Sequence, residues 1–387
     1  MTPPARAAAA AEILDRILAG GPAEKELTNW ARRSRFAGSK DRAAIRDMVF
    51  DGLRRRRSAA ARGGGETGRG IVLGLLRERG EAPSGWFTGG TYALAPATDE
   101  ELAATGPVTE AETLDVPDWL LADLRQSVGN DYSLVLNELR ARAPVTLRAN
   151  IARMDPADVQ ARLAKEGIEA ELHPLCTTAL RVTEGARKIR NSNAFLDGLV
   201  ELQDAASQAA AALIPVPEHG DILDYCAGGG GKALALAARG ATVVAHDADP
   251  IRMRDIPERA GRAKVASQVA VAKQIKDDAR YPVVVLDVPC SGSGAWRRQP
   301  EAKWSLTPER LDELRDVQAG LLRRAAALSS HAIAYLTCSL LRAENEDQVA
   351  KFVSETPGWT VREERRFSPL EGGDGFYAAI LVRESAA

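Results

Sequence analysis

The stretch Ile222-Leu223-Asp224-Tyr225-Cys226-Ala227-Gly228-Gly229-Gly230-Gly231-Lys232 decides the fold. A short apolar run ends in an acid, four glycines follow, and an Ala/Leu-rich segment comes next. That is a strand, a glycine turn and a helix. Glycines accept positive φ and let a ligand come close to the backbone. At the carboxyl end of a first strand, such a turn forms the crevice of an open α/β sheet. A second strand candidate, 242–246, ends in His246 and runs into Asp247, an acid placed to accept hydrogen bonds from ribose hydroxyls. Lys232 is followed by Ala233 rather than Ser or Thr, so this is not a Walker phosphate loop and ATP hydrolysis is disfavoured.

Outward from the turn, strand candidates recur at 221–225, 242–246, 282–286, 332–336 and 377–382, with helices in the gaps. Apolar runs separated by helices imply a parallel sheet covered on both faces. Upstream, 118–200 mixes signals. Val145-Thr146-Leu147-Arg148 and 180–182 are strand-like, and 156–166 reads as a helix with Asp155 as N-cap before a proline. Further upstream, Ile13, Leu14, Ile17 and Leu18 repeat at helical spacing, as do Ile45, Met48, Val49 and Leu53. Gly20-Gly21-Pro22 and Gly63-Gly64-Gly65 punctuate these helices, and 71–78 adds another. The organisation expected is a helical domain plus linker over 1–117, a small α+β subdomain over 118–200, and an α/β domain over 201–387. Three domains suit 387 residues at roughly 100–200 each.

Composition bounds the function. No run approaches the roughly 20 apolar residues of a membrane span, and the Ala-rich start lacks the basic and apolar regions of a secretory signal. Four dispersed cysteines, Cys176, Cys226, Cys290 and Cys338, form no CxxC pair. Neither a metal site nor a disulfide framework is expected, and a reducing, cytoplasmic setting fits. Cys176 reads as a buried, inert residue. Net charge is −2, but residues 1–70 hold 15 Lys/Arg against 8 Asp/Glu and include Arg54-Arg55-Arg56-Arg57. A local surplus of this kind can track phosphates, although the arginine run taken alone reads as a solvated helix end.

Two further constellations carry chemistry. The strand at 282–286 leads into Asp287-Val288-Pro289-Cys290-Ser291-Gly292-Ser293-Gly294, then Trp296-Arg297-Arg298-Gln299-Pro300-Glu301-Ala302-Lys303-Trp304. An acid, a proline and a cysteine stand at a strand end, where open sheets place active sites. Arginines that can hold phosphates and aromatics that can stack bases follow. The third constellation, Thr337-Cys338-Ser339 with Glu344-Asn345-Glu346 downstream, again ends a strand in a cysteine. The glycine turn alone does not separate a nicotinamide dinucleotide from S-adenosylmethionine. The cysteine loops do, since a dinucleotide oxidoreductase explains neither.

With these residues in place, the chain resembles the bacterial ribosomal RNA cytosine-5 methyltransferases of the Fmu/Sun (RsmB) type. Their D-x-C-A-x-P-G-G-K turn, D-A-P-C-S-G-T-G loop with R-R-x-P-D-x-K-W, and T-C-S motif with E-N-E correspond here to residues 224–232, 287–304 and 337–346. Gln203-Asp204 with Ala206-Ser207-Gln208, Leu147-Arg148-Ala149-Asn150 and Asp374-Gly375-Phe376-Tyr377 resemble further family segments. Asp41-Arg42 and Leu53-Arg54-Arg55 are similar to its NusB-like RNA-binding domain. The resemblance spans nearly the whole chain. The fold it implies is a Rossmann-like S-adenosylmethionine-dependent methyltransferase domain preceded by a small α+β unit and an all-α NusB-like domain. Three departures stand out: Gly228-Gly229 in place of Ala-Pro, Val288 in place of Ala, and no acid near Lys273-Gln274 at the third strand's end, for which Asp277 or Asp278 would substitute under a shifted register.

The activity implied is methylation of cytosine carbon 5 in RNA, most naturally small-subunit ribosomal RNA, through a covalent cysteine intermediate. A thiolate adding to carbon 6 makes the unreactive carbon 5 enamine-like, which is nucleophilic catalysis. The resemblance assigns Cys338 as nucleophile and gives Cys290 a part in product release. The residues alone leave the two open, because DNA cytosine methyltransferases attack with a Pro-Cys cysteine. The cofactor is expected on Cys226, Ala227, Gly228, Gly229, Gly230, Gly231, Lys232, Asp247 and Asp287, and RNA on Pro289, Arg297, Arg298 and Lys303. The protein is expected to be a monomer. The same chemistry on transfer RNA and a catalytically weakened RNA-binding protein are the alternative readings.

Overall fold

The protein is described by a computed structural model over residues 1–384. The chain parts into two compact units: Met1–Arg142 with Trp296–Leu306, and Ala143–Ala295 with Thr307–Ala387.

Among its described residues the first unit is built of helices joined by loops, with no strand. Its first helix, Pro3–Leu18, begins at Thr2, whose hydroxyl accepts the Ala5 amide, with prolines in the first turn. Ala7, Ala10, Ala11 and Leu14 recur at helical spacing and are buried, so one face enters the core. The glycines expected only as helix separators also set a packing distance. A Cβ on Gly63 would lie 1.8 Å from the Gly70 carbonyl oxygen, and one on Gly74 the same 1.8 Å from that of Ala59. The helices Arg56–Gly63 and Gly68–Glu78 therefore touch backbone to backbone. Helices Asp118–Val128 and Tyr132–Leu139 also belong to this unit.

The second unit contains two sheets. In the smaller, β1 (Val145–Ala149), β2 (Ala170–Leu172), β3 (Ala179–Val182) and β4 (Val200–Leu202) lie in the order β2-β3-β1-β4, all antiparallel. Alternation along β1 sends Leu147 and Ala149 into the small core with Val159, Leu163 and Leu180. Arg148, between them, donates to the Gly231 carbonyl at 2.6 Å, tying this sheet to the glycine turn.

The larger sheet has seven strands: β5 (Ile222–Asp224), β6 (Val243–Ala245), β7 (Val269–Val271), β8 (Tyr281–Asp287), β9 (Ser329–Thr337), β10 (Trp359–Phe367) and β11 (Phe376–Arg383). Their order is β10-β11-β9-β8-β5-β6-β7. From β9 through β7 the pairing is parallel, as the apolar runs imply. The last two strands depart from that expectation, because β11 pairs antiparallel with β9 and β10 with β11. β5 lies between β6 and β8, so the connections reverse there, and a crevice opens at the carboxyl ends on either side. Val284, Leu286, Ile333 and Tyr335 are completely buried, as a sheet covered on both faces requires.

Candidate active site

Each strand bordering the switch point delivers one functional group. β5 ends at Asp224 and enters the glycine turn. The Tyr225 amide donates to Val285 and the Ala227 amide to His246, both across to neighbouring strands. Gly228 has φ of +50° and its amide donates to Asp247 Oδ2 at 2.8 Å. Gly230 has φ of +80° and starts the helix Gly231–Ala237; a Cβ there would lie 2.8 Å from Ile256. The departure from Ala-Pro thus leaves a turn that is tied at both ends. Arg259 also donates to the Gly229 carbonyl.

Asp247 is buried and takes amides from Gly228 and Asp249 and an ion pair with Arg252 at 3.1 Å. Lys232 is buried against Phe376 and meets Asp287 Oδ2 at 2.5 Å, joining the turn to the end of β8. Asp224 is different. It is buried, and neither carboxylate oxygen makes a well-formed hydrogen bond, the Ala233 amide being only a weak donor toward it. Burial pushes its pKa up to about 7, against the pull of Lys232. An orphaned buried carboxylate beside a glycine turn is what a cationic ligand would complete. Cys226 lies against the core around Leu223 and Val284, and burial raises its thiol well above the ordinary range.

No acid closes the third strand. β7 is followed by Ala272-Lys273-Gln274, while Asp277 and Asp278 are exposed in the next loop and Asp277 pairs with Arg324.

The two cysteine loops meet at the ends of adjacent strands β8 and β9. Cys290 Sγ and Cys338 Sγ are 3.5 Å apart. The Cys290 thiol is pushed well above its ordinary range, first by the hydrogen bond with Cys338, then by burial and the charges of Cys338 and Glu344. Beneath them Glu344, fully buried, takes the Ser291 amide at 2.8 Å, the Ser291 and Ser339 hydroxyls, and the Gln318 amide group at 3.0 Å. Gln318 also donates to the Pro289 carbonyl. Asn345 accepts from Thr337 and donates to the Ser339 carbonyl. One carboxylate and one amide thereby fasten both loops. The sequence displays Glu344 and Asn345 beside the second cysteine. Gln318 has no local signal, because it comes from the middle of the helix Pro308–Leu328.

The remaining family-like segments are structural ties. Asp204 caps the helix Ala205–Leu213 and also accepts the Asp374 amide at 3.1 Å. Asn150 donates to the Gly198 and Ala263 carbonyls.

The residues expected to meet RNA are placed differently from one another. Pro289 is exposed beside Cys290, and Arg298 is half-buried. Arg297 and Lys303 belong to the helical unit and are buried there. Arg297 pairs with Glu138, and its carbonyl accepts from Arg54. Lys303 donates to the Arg54 carbonyl, and burial pushes its pKa down to about 8. Neither cation is presented to a phosphate in this arrangement. Among the described residues no His/Cys/Asp/Glu group could hold a metal ion, and no helix is long and apolar enough to cross a membrane.

Comparison with known proteins agrees with this geometry. Residues 210–381 match the family model for the 16S rRNA methyltransferase RsmB/F, and residues 116–188 match the ferredoxin-like domain of RsmF/B-like methyltransferases. The ribosomal RNA small subunit methyltransferase B of Yersinia pseudotuberculosis serotype O:1b is 30% identical over 286 residues, 69% of this chain and 66% of that protein. The matched region therefore spans just under two thirds of that relative's length. Among solved structures, PH0851 superposes with a TM-score of 0.74 at 19% identity, covering 100% of this chain and 99% of that one. A methyltransferase homolog protein from Pyrococcus horikoshii gives a TM-score of 0.61 at 21% identity, covering 70% of this chain and 97% of that one. These two share the fold. Motifs, topology and sequence matches converge, and the chain belongs to the RsmB/F family of 16S rRNA methyltransferases.

Proposed function

We propose that this protein methylates carbon 5 of a cytosine in small-subunit ribosomal RNA, with S-adenosylmethionine as donor and Cys338 as the attacking nucleophile. The observation that carries the reading is the 3.5 Å approach of Cys290 and Cys338 on the sheet edge that also bears the glycine turn.

S-adenosylmethionine supplies an electrophilic methyl group. The residues suited to hold it are Gly228 and Gly230, which permit close approach, Asp247 for ribose hydroxyls, and Asp224 for the cationic amino-acid end. Lys232 and Asp287 brace the turn between them. Cys338 adds as thiolate to cytosine carbon 6, forming a carbon–sulfur bond and moving electron density to carbon 5. After carbon 5 is substituted, its proton leaves to a base and the carbon–sulfur bond breaks, restoring the aromatic ring and freeing Cys338. Cys290, held as a thiol beside Cys338, is the nearest group for this release step. The base must leave any stack to reach the pair, so a loop or remodelled RNA is the fitting substrate. Ribosomal RNA sets the site of action in the cytoplasm.

The test is transfer of labelled methyl to small-subunit ribosomal RNA by wild type, Cys338→Ala and Cys290→Ala, read as 5-methylcytosine and on denaturing gels. The expected outcome is label for wild type, none for Cys338→Ala, and a gel-stable protein–RNA adduct for Cys290→Ala. An adduct with Cys338→Ala instead would exchange the two roles. Wild type that is folded but labels no RNA would sink the proposal.

A further inference from the structure

The helical unit carries its basic surplus in two places that behave oppositely. The run at 54–57 is engaged internally: Arg54 with Asp51, Arg55 with Glu78, Arg56 with Glu66, and Arg57 with Asp118 and the Val116 carbonyl. Arg32, Arg33, Arg35 and Lys40, around the turn between helices Ala23–Arg33 and Ser39–Arg54, are exposed and have no ion-pair partner among the described residues. The acids nearby are already taken. Glu24 pairs with Arg46, Asp41 with Arg6 and the Met1 ammonium, and Arg16 pairs with both Glu26 and Glu12, the acid that lines the neighbouring cleft.

Beside this turn lies a cleft of about 780 Å³, inside the range of roughly 300–1,000 Å³ that holds small ligands. Ala5 and Ala9 of the first helix and Trp30 of the second line it, together with Phe36 and Tyr92. Phe36 is 77% exposed and Tyr92 80%. So exposed, these rings add little to the core, yet they share one concave site flanked by four uncompensated cations. Planar rings that accept a stacked base, with cations for its phosphates, are the chemistry of single-stranded nucleic-acid binding.

We propose that this cleft binds an unpaired nucleotide of RNA, its base stacked on Phe36 and Tyr92 and its neighbouring phosphates held by Arg32, Arg33, Arg35 and Lys40. The inference rests on the RNA-methyltransferase reading and adds a second point of attachment for the substrate, on the helical unit. A duplex cannot insert a base into the cleft, so unpaired RNA is preferred over paired.

The test uses the full chain and a short fluorescent oligouridylate, read by anisotropy across a salt series. Phe36→Leu with Tyr92→Leu should weaken binding about tenfold or more, since stacking is worth ~1–3 kcal/mol per base, and leave the salt dependence unchanged. Arg33→Ala with Arg35→Ala should weaken binding and make the slope of log affinity against log salt shallower by about 0.7 for each phosphate no longer neutralised. Calorimetric S-adenosylmethionine binding should be unchanged in both variants. If the leucine pair loses that binding as well, photocrosslinking of wild type to a 4-thiouridine oligomer gives the answer: adducts at Phe36 or Tyr92 support the site, and adducts only elsewhere overturn it. Wild-type affinity in the leucine pair, or equal binding of a duplex, also overturns it. Methyl transfer is scored separately. Wild type that methylates ribosomal RNA alongside cleft variants with unaltered binding sinks this inference alone. Absent methylation with oligomer binding lost in the variants sinks only the enzymatic reading.

Discussion

Asp224 and Glu344 are both buried near the carboxyl ends of the large sheet, and the fold treats them oppositely. Glu344, below the cysteines, is enclosed by donors from Ser291, Ser339 and Gln318. Asp224, below the glycine turn, has no well-formed hydrogen bond to either oxygen. A buried carboxylate is costly unless donors replace water. Glu344 is therefore a completed part of the scaffold that fixes the reacting sulfurs, while Asp224 is half of an interaction whose other half arrives with a ligand.

The strongest way to break this comparison is Glu344→Ala. It leaves the Ser291 amide buried without an acceptor and takes one acceptor from each of the Ser291 and Ser339 hydroxyls and the Gln318 amide group, at about 1–3 kcal/mol for each group that cannot reach water or another partner. Chemical denaturation should show a loss of about 3–5 kcal/mol, with methyl transfer down at least about 100-fold because the cysteine loops lose their shared anchor. Glu344→Gln keeps an acceptor oxygen and should fall between. An alanine variant as stable and active as wild type would mean that the loops are held by other groups.

Asp224→Asn should affect binding more than folding. In the free protein the carboxyl has a pKa of about 7, raised by burial from 3.8, so the folded state holds this proton more tightly than the unfolded chain. Its contribution to stability is therefore full below about pH 4 and declines as pH climbs to 7. A cationic ligand favours the ionised form, so S-adenosylmethionine affinity should rise with pH up to about 7 and then level off. Asparagine should weaken the cofactor about tenfold above pH 7 and flatten both profiles, as calorimetry in buffers of different ionisation heat would show. A pH-independent affinity in wild type would place the cation elsewhere.

Gly230→Ala sharpens the cofactor side of the comparison. Alanine at φ +80° costs about 1–2 kcal/mol, and its Cβ would press on the Ile256 side chain, so either that side chain or the turn must shift. The expected result is several-fold weaker cofactor binding with Cys338 alkylation by iodoacetamide unchanged. A change in alkylation would show that the two ends of the site are coupled.

What was legible in the sequence follows the same division. β5, β8 and β9 announce themselves because strands buried on both faces must be apolar throughout. β10 does not, because Glu363, Glu364, Arg365 and Arg366 lie on an exposed edge strand, and charge there protects against further pairing. The glycine turn and both cysteines are local motifs and could be read directly. Gln318 could not, since its meaning depends on a helix passing under Pro289. Arg297 and Lys303 carry charge that reads as an RNA contact, and the arginine run reads as a solvated helix end. Their partners Glu78, Glu66, Asp118, Glu138 and the Arg54 carbonyl are distant in sequence, so only the fold reveals that these cations are engaged.

The smallest expected effect concerns Arg252, which reaches Asp247 with a long side chain rather than a turn amide. Its side chain is 61% exposed, so its ion pair lies in the range of about 0–1 kcal/mol. A carboxylate offers about four acceptor positions, and the Gly228 and Asp249 amides use two of them from fixed backbone. Those amides orient Asp247 without help, leaving room for a ribose hydroxyl. Arg252→Ala should therefore change cofactor affinity by less than about threefold, and added salt should erase the difference. A larger, salt-resistant loss would mean that Arg252 itself touches the cofactor, and that Asp247, like Asp224, is completed only when the ligand is bound.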